Sequence, residues 1–336
     1  MARSAMRRRI ALVPGAVLAA LPGACAGIQS PLAPASDQAF ALHDLLILMT
    51  VVCGLIYLLV IAGLVWSVLR ARKHAKRAAA APVDERGLDR SLIATAAIIV
   101  AGLTVLIFGS FLADRALLAA RAEKAMMVRV TGHQWWWRIE YRNPATGGWV
   151  ETANELHLPL GRTTRVELTS NDVIHSFWVP NVSGKIDMIP GRLNMLDLTP
   201  RRSGWFRGAC AEFCGAQHAH MALDVRVDDP VAFDAWLAGQ AESARKAQGP
   251  GKALFALHCG SCHAVRGTPA NGRAGPDLTH FAARRSIAAG TLPMTRGALQ
   301  GWIAQPQALK PGTAMPAVPL RPAEADALAT YLATLR

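Results

Sequence analysis

Twelve residues, Cys210 to Met221, read "CAEFCGAQHAHM" and hold two cysteines, two histidines, a carboxylate and a methionine. Thiolates and a thioether are soft donors, which favour copper over magnesium, calcium or manganese. A mononuclear electron-transfer copper takes one Cys, two His and a weak axial Met. The spacing here, Cys-x3-Cys-x3-His-x2-Met, puts two sulfurs on one loop, so two metal ions can share them. A second histidine has to come from elsewhere. His175 in "NDVIHSFWVP" stands at the end of a β-type run, just before a turn proline. Two Cys and two His are also the donor set of a structural zinc site, a reading that leaves Met221 without a part. His133 and His220 take no role in either arrangement and read as ordinary surface or packed histidines.

Farther along, "CGSCH" supplies Cys259, Cys262 and His263. Cys-x-x-Cys-His is the spacing for covalent attachment of a c-type haem, with two thioether bonds to the porphyrin and one axial nitrogen to iron. Redox and zinc motifs share Cys-x-x-Cys, but here the motif sits in helical text with "GPDL" after it. His/Met ligation is the pattern of cytochromes c. Two later methionines compete for the second position, Met294 in "TLPMT" and Met315 in "KPGTAMPA". Six cysteines are present; Cys25 lies near the N-terminus and Cys53 inside an apolar run, where a lone thiol is a small apolar filler. Disulfides are permitted outside the cytoplasm, yet each tight pair comes with a histidine at fixed spacing, which a structural bridge does not need.

These sites need scaffolds, and 336 residues allow two ordinary domains with extra segments. The apolar fraction is 52%, concentrated in two uncharged runs, Leu45 to Leu69 (25 residues) and Ser91 to Ala113 (23 residues). Each matches the ~20 residues that cross a bilayer as a helix. We expect a transmembrane hairpin within residues 40–115. At the N-terminus, Arg3, Arg7, Arg8 and Arg9 precede a short apolar run and the small residues of "GACAG", the layout of a signal peptide over residues 1–26. The cut falls after Ala26 or before Cys25, which would then carry a lipid. The net charge of +13 is uneven and is no nucleic-acid signal: the loop Arg70 to Arg90 holds seven basic and three acidic residues. A short basic loop between two spans belongs on the cytoplasmic side. The remainder therefore lies in a periplasm-like space. From 124 to 228 short runs such as "MMVRVTG", "TTRVELTS" and "MALDVRV" alternate in steps of two between turn signals, which predicts an antiparallel sandwich or barrel. Residues 229–248 predict a helix, with Asp229 as cap and Pro230 at its first position, then a linker. Residues 249–336 predict an all-α domain that carries nine basic against three acidic residues.

Three segments, "GHQWWWRIEY", "VIHSFWVPNVSGKIDMIPGRLN" and "CAEFCGAQHAHM", resemble cytochrome c oxidase subunit II, a likeness that covers the chain to about residue 228. The resemblance implies a cupredoxin-like sandwich holding a dinuclear mixed-valence copper centre, CuA. Cys210 and Cys214 would bridge the coppers, His175 and His218 would each ligate one, and Met221 and the Glu212 carbonyl would be the weak ligands. The Glu212 side chain would help bind magnesium shared with subunit I, and Trp135 would face the incoming electron donor. Trp136 and Trp137 pack in or against the sandwich. Residues 249–336 resemble a small class I cytochrome c, with Pro276 near the proximal histidine and Met315 as the second haem ligand.

A subunit II with its own cytochrome resembles the caa-type oxidases. It implies electron input from an external donor such as a small c-type cytochrome, through haem c and CuA, to the haem of subunit I. There oxygen is reduced and protons are moved; a subunit III is a further expected partner. The expected setting is the bacterial inner membrane, multi-pass, with both cofactor domains periplasmic. One departure is "LDRSLIATAAII": Asp89 stands where the family usually has a Glu associated with proton uptake, without the following Trp and Pro. Two other readings are the copper-bearing subunit of a nitric oxide reductase, and a membrane-anchored carrier or sensor with no catalytic partner.

Overall fold

The structure is a computed structural model that describes residues 27–74, 85–119, 125–244 and 249–336. The expected signal peptide with Cys25, part of the basic loop and the residues 245–248 of the linker lie outside the described residues. The chain forms two compact units, one of residues 40–121 and one of the remainder.

The first unit is helical. Helix α1 runs Asp37–His74 and α2 runs Glu85–Ala119. Both are long and apolar enough to cross a membrane. Leu58, Ile93, Ile107 and Phe108 stand more than 60% exposed. A soluble fold rarely leaves so large an apolar surface open; hydrocarbon covers it. The helices outrun the uncharged stretches because the helical backbone continues through charged flanks such as Arg70 to Lys73 and Glu85 to Arg90, where side chains reach interfacial water.

The second unit begins with a sandwich of ten strands. They are β1 Met126–His133, β2 Trp136–Arg142, β3 Trp149–Ala153, β4 Glu155–Pro159 and β5 Thr164–Ser170, then β6 His175–Trp178, β7 Ile186–Met188, β8 Asn194–Leu198, β9 Gly204–Cys210 and β10 Ala222–Asp228. One sheet has the order β3-β2-β1-β5-β8 and the other β4-β10-β9-β6-β7. Period-two patterning sets the faces. Val128 and Val130 of β1 and Trp137, Ile139 and Tyr141 of β2 meet Leu223, Val225 and Val227 of β10 in one core. Met221 continues the β10 row inward and is 1% exposed. Residues 27–39 lace onto the sandwich. The Ala35 amide donates to the Asn181 carbonyl at 2.6 Å, and Arg201 grips both oxygens of Asp37 at 2.7 Å.

Helix α3, Pro230–Ala241, starts where Asp229 accepts from the Val231 amide. It lays Phe233 and Trp236 against Tyr141. Trp236 also stacks on His157, which Asp228 and Glu155 clamp at 2.7 and 2.9 Å. Burial pushes the His157 ring down, but the two carboxylates outweigh it and hold the ring above its ordinary value.

The C-terminal domain packs α4 Pro250–His258, α5 Arg296–Ala304, α6 Pro306–Leu309 and α7 Pro322–Ala333 around Phe255, Leu299, Ile303, Leu328 and Leu332. One short antiparallel pair, β11 Ser286–Ile287 with β12 Leu292–Pro293, closes a turn between them.

Candidate metal centres

The copper-type loop hangs between β9 and β10, and their pairing delivers Cys210 at the end of one strand and Met221 at the start of the next. Their backbones hydrogen-bond at 3.0 Å, from the Cys210 amide to the Met221 carbonyl. Strand β6 pairs with β9 through Phe177 and Cys210, which brings His175 beside the loop. The ligand atoms of His175, Cys210 and Cys214 lie within 4.8 Å of one another. Two sets of donors result. Cys210 Sγ is 3.9 Å from His175 Nδ1 and 3.2 Å from the Glu212 carbonyl oxygen. Cys214 Sγ is 3.6 Å from His218 Nδ1 and 3.9 Å from Met221 Sδ. Each set pairs one sulfur with one imidazole nitrogen and one weak donor, so the residues fit two soft metal ions that share the sulfurs.

The surroundings hold these side chains in place. Asp172 Oδ1 accepts from His175 Nε2–H at 2.8 Å, which fixes the tautomer and turns Nδ1 toward Cys210. Burial pushes the His175 ring down, but Asp172 and then Cys210 outweigh it and hold it at about 8. The Cys210 thiol is held well below its ordinary value, first by a hydrogen bond from the Cys214 thiol and also by His175, against burial. Gly132 of β1 lies under the His175 ring, and a Cβ there would come within 2.7 Å of it. Any larger residue would displace the ring.

The haem-type motif follows α4 directly. Cys259, Cys262 and His263 line a cavity whose wall also contains Met315. The His263 Nδ1–H donates to the Pro276 carbonyl at 2.8 Å, leaving Nε2 for iron. A Cβ on Gly275 would come within 2.5 Å of the same ring, so the "GPDL" turn closes on the histidine only as glycine. Met294 packs on the domain core and is not part of the cavity wall. The buried Arg284 also lines the cavity, with its Nε unpartnered among the described residues. That donor suits a porphyrin carboxylate, and the residues present fit a covalently held haem.

The two centres are neighbours within one unit. Gln134, Trp135, Trp136 and Asn154 of the sandwich complete the wall of the haem-type cavity. Trp135 Nε1 donates to the Cys214 carbonyl at 2.9 Å, and Gln134 Nε2 donates to the same oxygen at 2.7 Å. The Trp135 side chain thus touches the copper-type loop and borders the haem-type cavity.

Comparison with known proteins agrees with this division. The family described as "Cytochrome C oxidase subunit II, periplasmic domain" matches residues 142–227, and the cytochrome c family matches residues 249–336. A cytochrome c oxidase subunit 2 of Bacillus subtilis is 29% identical over 333 residues, covering 91% of this chain and 92% of that protein. The chain carries a domain of the cytochrome c oxidase subunit II family. It carries a C-terminal cytochrome c domain, and the apolar helices make it a membrane protein with a periplasmic domain. Subunits 2 of Alkalihalophilus pseudofirmus and of Bacillus sp. strain PS3 are 37% and 34% identical, each over 64% of this chain. The matches span 62% and 64% of those two relatives.

The other residues singled out in the sequence are dispersed. Glu212 is exposed and its Oε1 accepts from the Phe213 amide, while Phe213 itself stands 75% exposed. Asp89 is exposed in the second turn of α2. Trp136 stacks on His133, Trp137 is fully buried, and His220 Nδ1 contacts Gln217. Sequence reasoning did not pick out Asp172, Arg284 or Lys310. The first stands three residues before His175, a spacing that offered a signal; the other two, Arg284 beside Arg285 and Lys310 before a turn proline, gave none.

Proposed function

We propose that this chain is the electron-input subunit of a proton-translocating terminal respiratory oxidase. It takes electrons from an external donor, such as a small c-type cytochrome, by way of haem c and a dinuclear CuA centre to the haem of subunit I. The observation that carries this reading is the twofold donor set that the copper-type loop forms with His175 of β6, with the haem-type cavity on the far side of Trp135. Cys210, Cys214, His175, His218, Met221 and the Glu212 carbonyl hold the copper pair, and Cys259, Cys262, His263 and Met315 hold the haem. When bound, these groups supply reversible one-electron carriage, with the charge of the odd electron spread over two metals. The chain's own residues orient and shield them. Asp172 fixes the His175 ring, Pro276 fixes the His263 ring, and Trp135 fills the space between the sites. Burial of Cys214 and Met221 keeps water from the sulfurs.

The assembly is proposed to include subunits I and III in a bacterial inner membrane, crossed twice by this chain, with both cofactor domains on the periplasmic side. Its domains are a signal peptide over 1–26, spans within 40–115, the copper domain over 124–228, a helix and linker over 229–248 and the haem domain over 249–336. The exposed Glu212 carboxylate contributes to a magnesium ion shared with subunit I. Cys25 is either lipidated or removed with the signal. Metal analysis of the purified complex tests the reading. Two CuA coppers and one covalent haem should be found for each copy of this chain, with a seven-line copper resonance and a magnesium that Glu212→Gln loses. Zinc in place of copper, or a lone copper with four lines, overturns it.

Asp89 is proposed to admit protons, on the strength of its place at the start of α2. Asp89→Asn should slow turnover several-fold at unchanged copper and haem content; unchanged turnover removes the role.

A further inference from the structure

Lys310 is the most deeply buried cation of the haem domain, 2% exposed. Its ammonium faces no carboxylate within ion-pair distance among the described residues. All three of its donors go instead to backbone carbonyls: Trp135 at 2.8 Å, His220 at 2.8 Å and Ala288 at 2.9 Å. Two of these belong to the sandwich and one to the haem domain. Burying an ammonium is costly unless its donors are filled, and here they are filled only while the two domains are docked.

The backbone around the ammonium is specialised for the same contact. Ala288 and Ala289 both adopt left-handed conformation, with φ of 54° and 58°. A side chain other than glycine reaches that region at a cost, and such strain persists where the surroundings enforce it. The turn presents the Ala288 carbonyl to Lys310 and the Ala289 carbonyl to the Ala222 amide of β10, at 3.0 Å. Two residues past the lysine, Gly312 lies over Trp135, where an added Cβ would stand 3.3 Å from the ring. Gln217 Nε2 donates to the Pro311 carbonyl at 2.9 Å, tying the same loop to the copper-type loop. Trp135 is left 8% exposed.

We propose that Lys310 is a positioning residue, an ammonium clasp that seats the haem domain on the sandwich and holds the cavity mouth against Trp135. The face that would meet an external donor is thereby taken by the chain's own domain, and the donor delivers its electron to the haem domain instead. The electron-transfer part of this inference rests on the proposed relay; the docking part does not.

The test uses the full chain loaded with haem and copper. Lys310→Met keeps the aliphatic stem and removes the donors. Amide exchange at Ala222, whose partner is the Ala289 carbonyl, should rise at least tenfold, and haem-to-copper electron transfer after photoreduction should slow at least tenfold. The optical and copper-resonance spectra of both centres should stay unchanged, which a general defect of the haem domain would not leave. In the unaltered chain, amine acylation should modify the exposed Lys185 and spare Lys310, a readout that survives if the variant fails to load haem. Unchanged exchange in Lys310→Met, or acylation of Lys310 as fast as Lys185, overturns the clasp. Changed exchange and labelling with no electron transfer in the unaltered chain sinks the relay while leaving the clasp standing.

Discussion

Cys214→Ser should abolish the dinuclear centre while leaving the haem domain docked and spectrally normal. Cys214 Sγ is the sulfur that faces His218 Nδ1 and Met221 Sδ, at 3.6 and 3.9 Å, with Cys210 on its other side. An oxygen in its place is a hard donor and a poor ligand for copper. Loss of a residue that merely orients a metal ligand lowers affinity or activity by about 10–100-fold, so loss of a bridging ligand should lower oxidase turnover by more than ~100-fold. The structural damage is small because Cys214 joins Trp135 and Gln134 through its carbonyl, which the substitution keeps. Copper content should fall below two per chain, the seven-line resonance should vanish, and the haem spectrum should persist. Full copper content with normal turnover would show that the sulfurs of this loop do not carry the centre.

Much of this was legible before the fold was known, for a physical reason. Five of the copper-type donors fall within twelve residues of one loop, so their proximity is local and the sequence spells it out. His175 is 35 residues from Cys210, yet β6 and β9 had to pair for any sandwich to form around that loop. The membrane spans were legible because length and hydropathy alone decide them. Strand β9 was harder: "GWFRGAC" begins with glycine and carries a second one at the point where its chain passes under Trp178 and Val179. The clasp was not legible. Lys310 and Trp135 are 175 residues apart, and a buried ammonium is recognised only by the carbonyls around it. Trp135, expected to face an electron donor, lies against the chain's own haem domain. Domain docking depends on complementary surfaces, and periodicity carries no trace of them.

The choice between the two methionines makes the sharpest second expectation. Met315→Ala should lower the haem potential, and Met294→Ala should not. A thioether on iron raises the potential of a cytochrome c, and axial ligands set haem potentials over about 0.8 V across proteins. Losing one should lower it by more than ~100 mV on that scale. The loop itself should survive, because its backbone is pinned independently of the methionine. Gln307 Nε2 donates to the carbonyls of Thr313 and Met315 at 2.6 and 3.1 Å, and its Oε1 accepts from the Gly312 amide at 3.0 Å. Met294→Ala instead empties part of the domain core and should cost about 1–3 kcal/mol in stability, less than a fully buried methionine. The turnover consequence of Met315→Ala has a direction as well. A lower haem potential makes transfer onward to copper more favourable and input from the external donor less so, by tenfold in equilibrium for each ~59 mV. Turnover should therefore become limited by donor oxidation, with the haem largely oxidised at steady state. Redox titration and steady-state spectra of the two variants check this together. A potential that falls in Met294→Ala and holds in Met315→Ala would reverse the ligand assignment, and with it the orientation of the cavity toward Trp135.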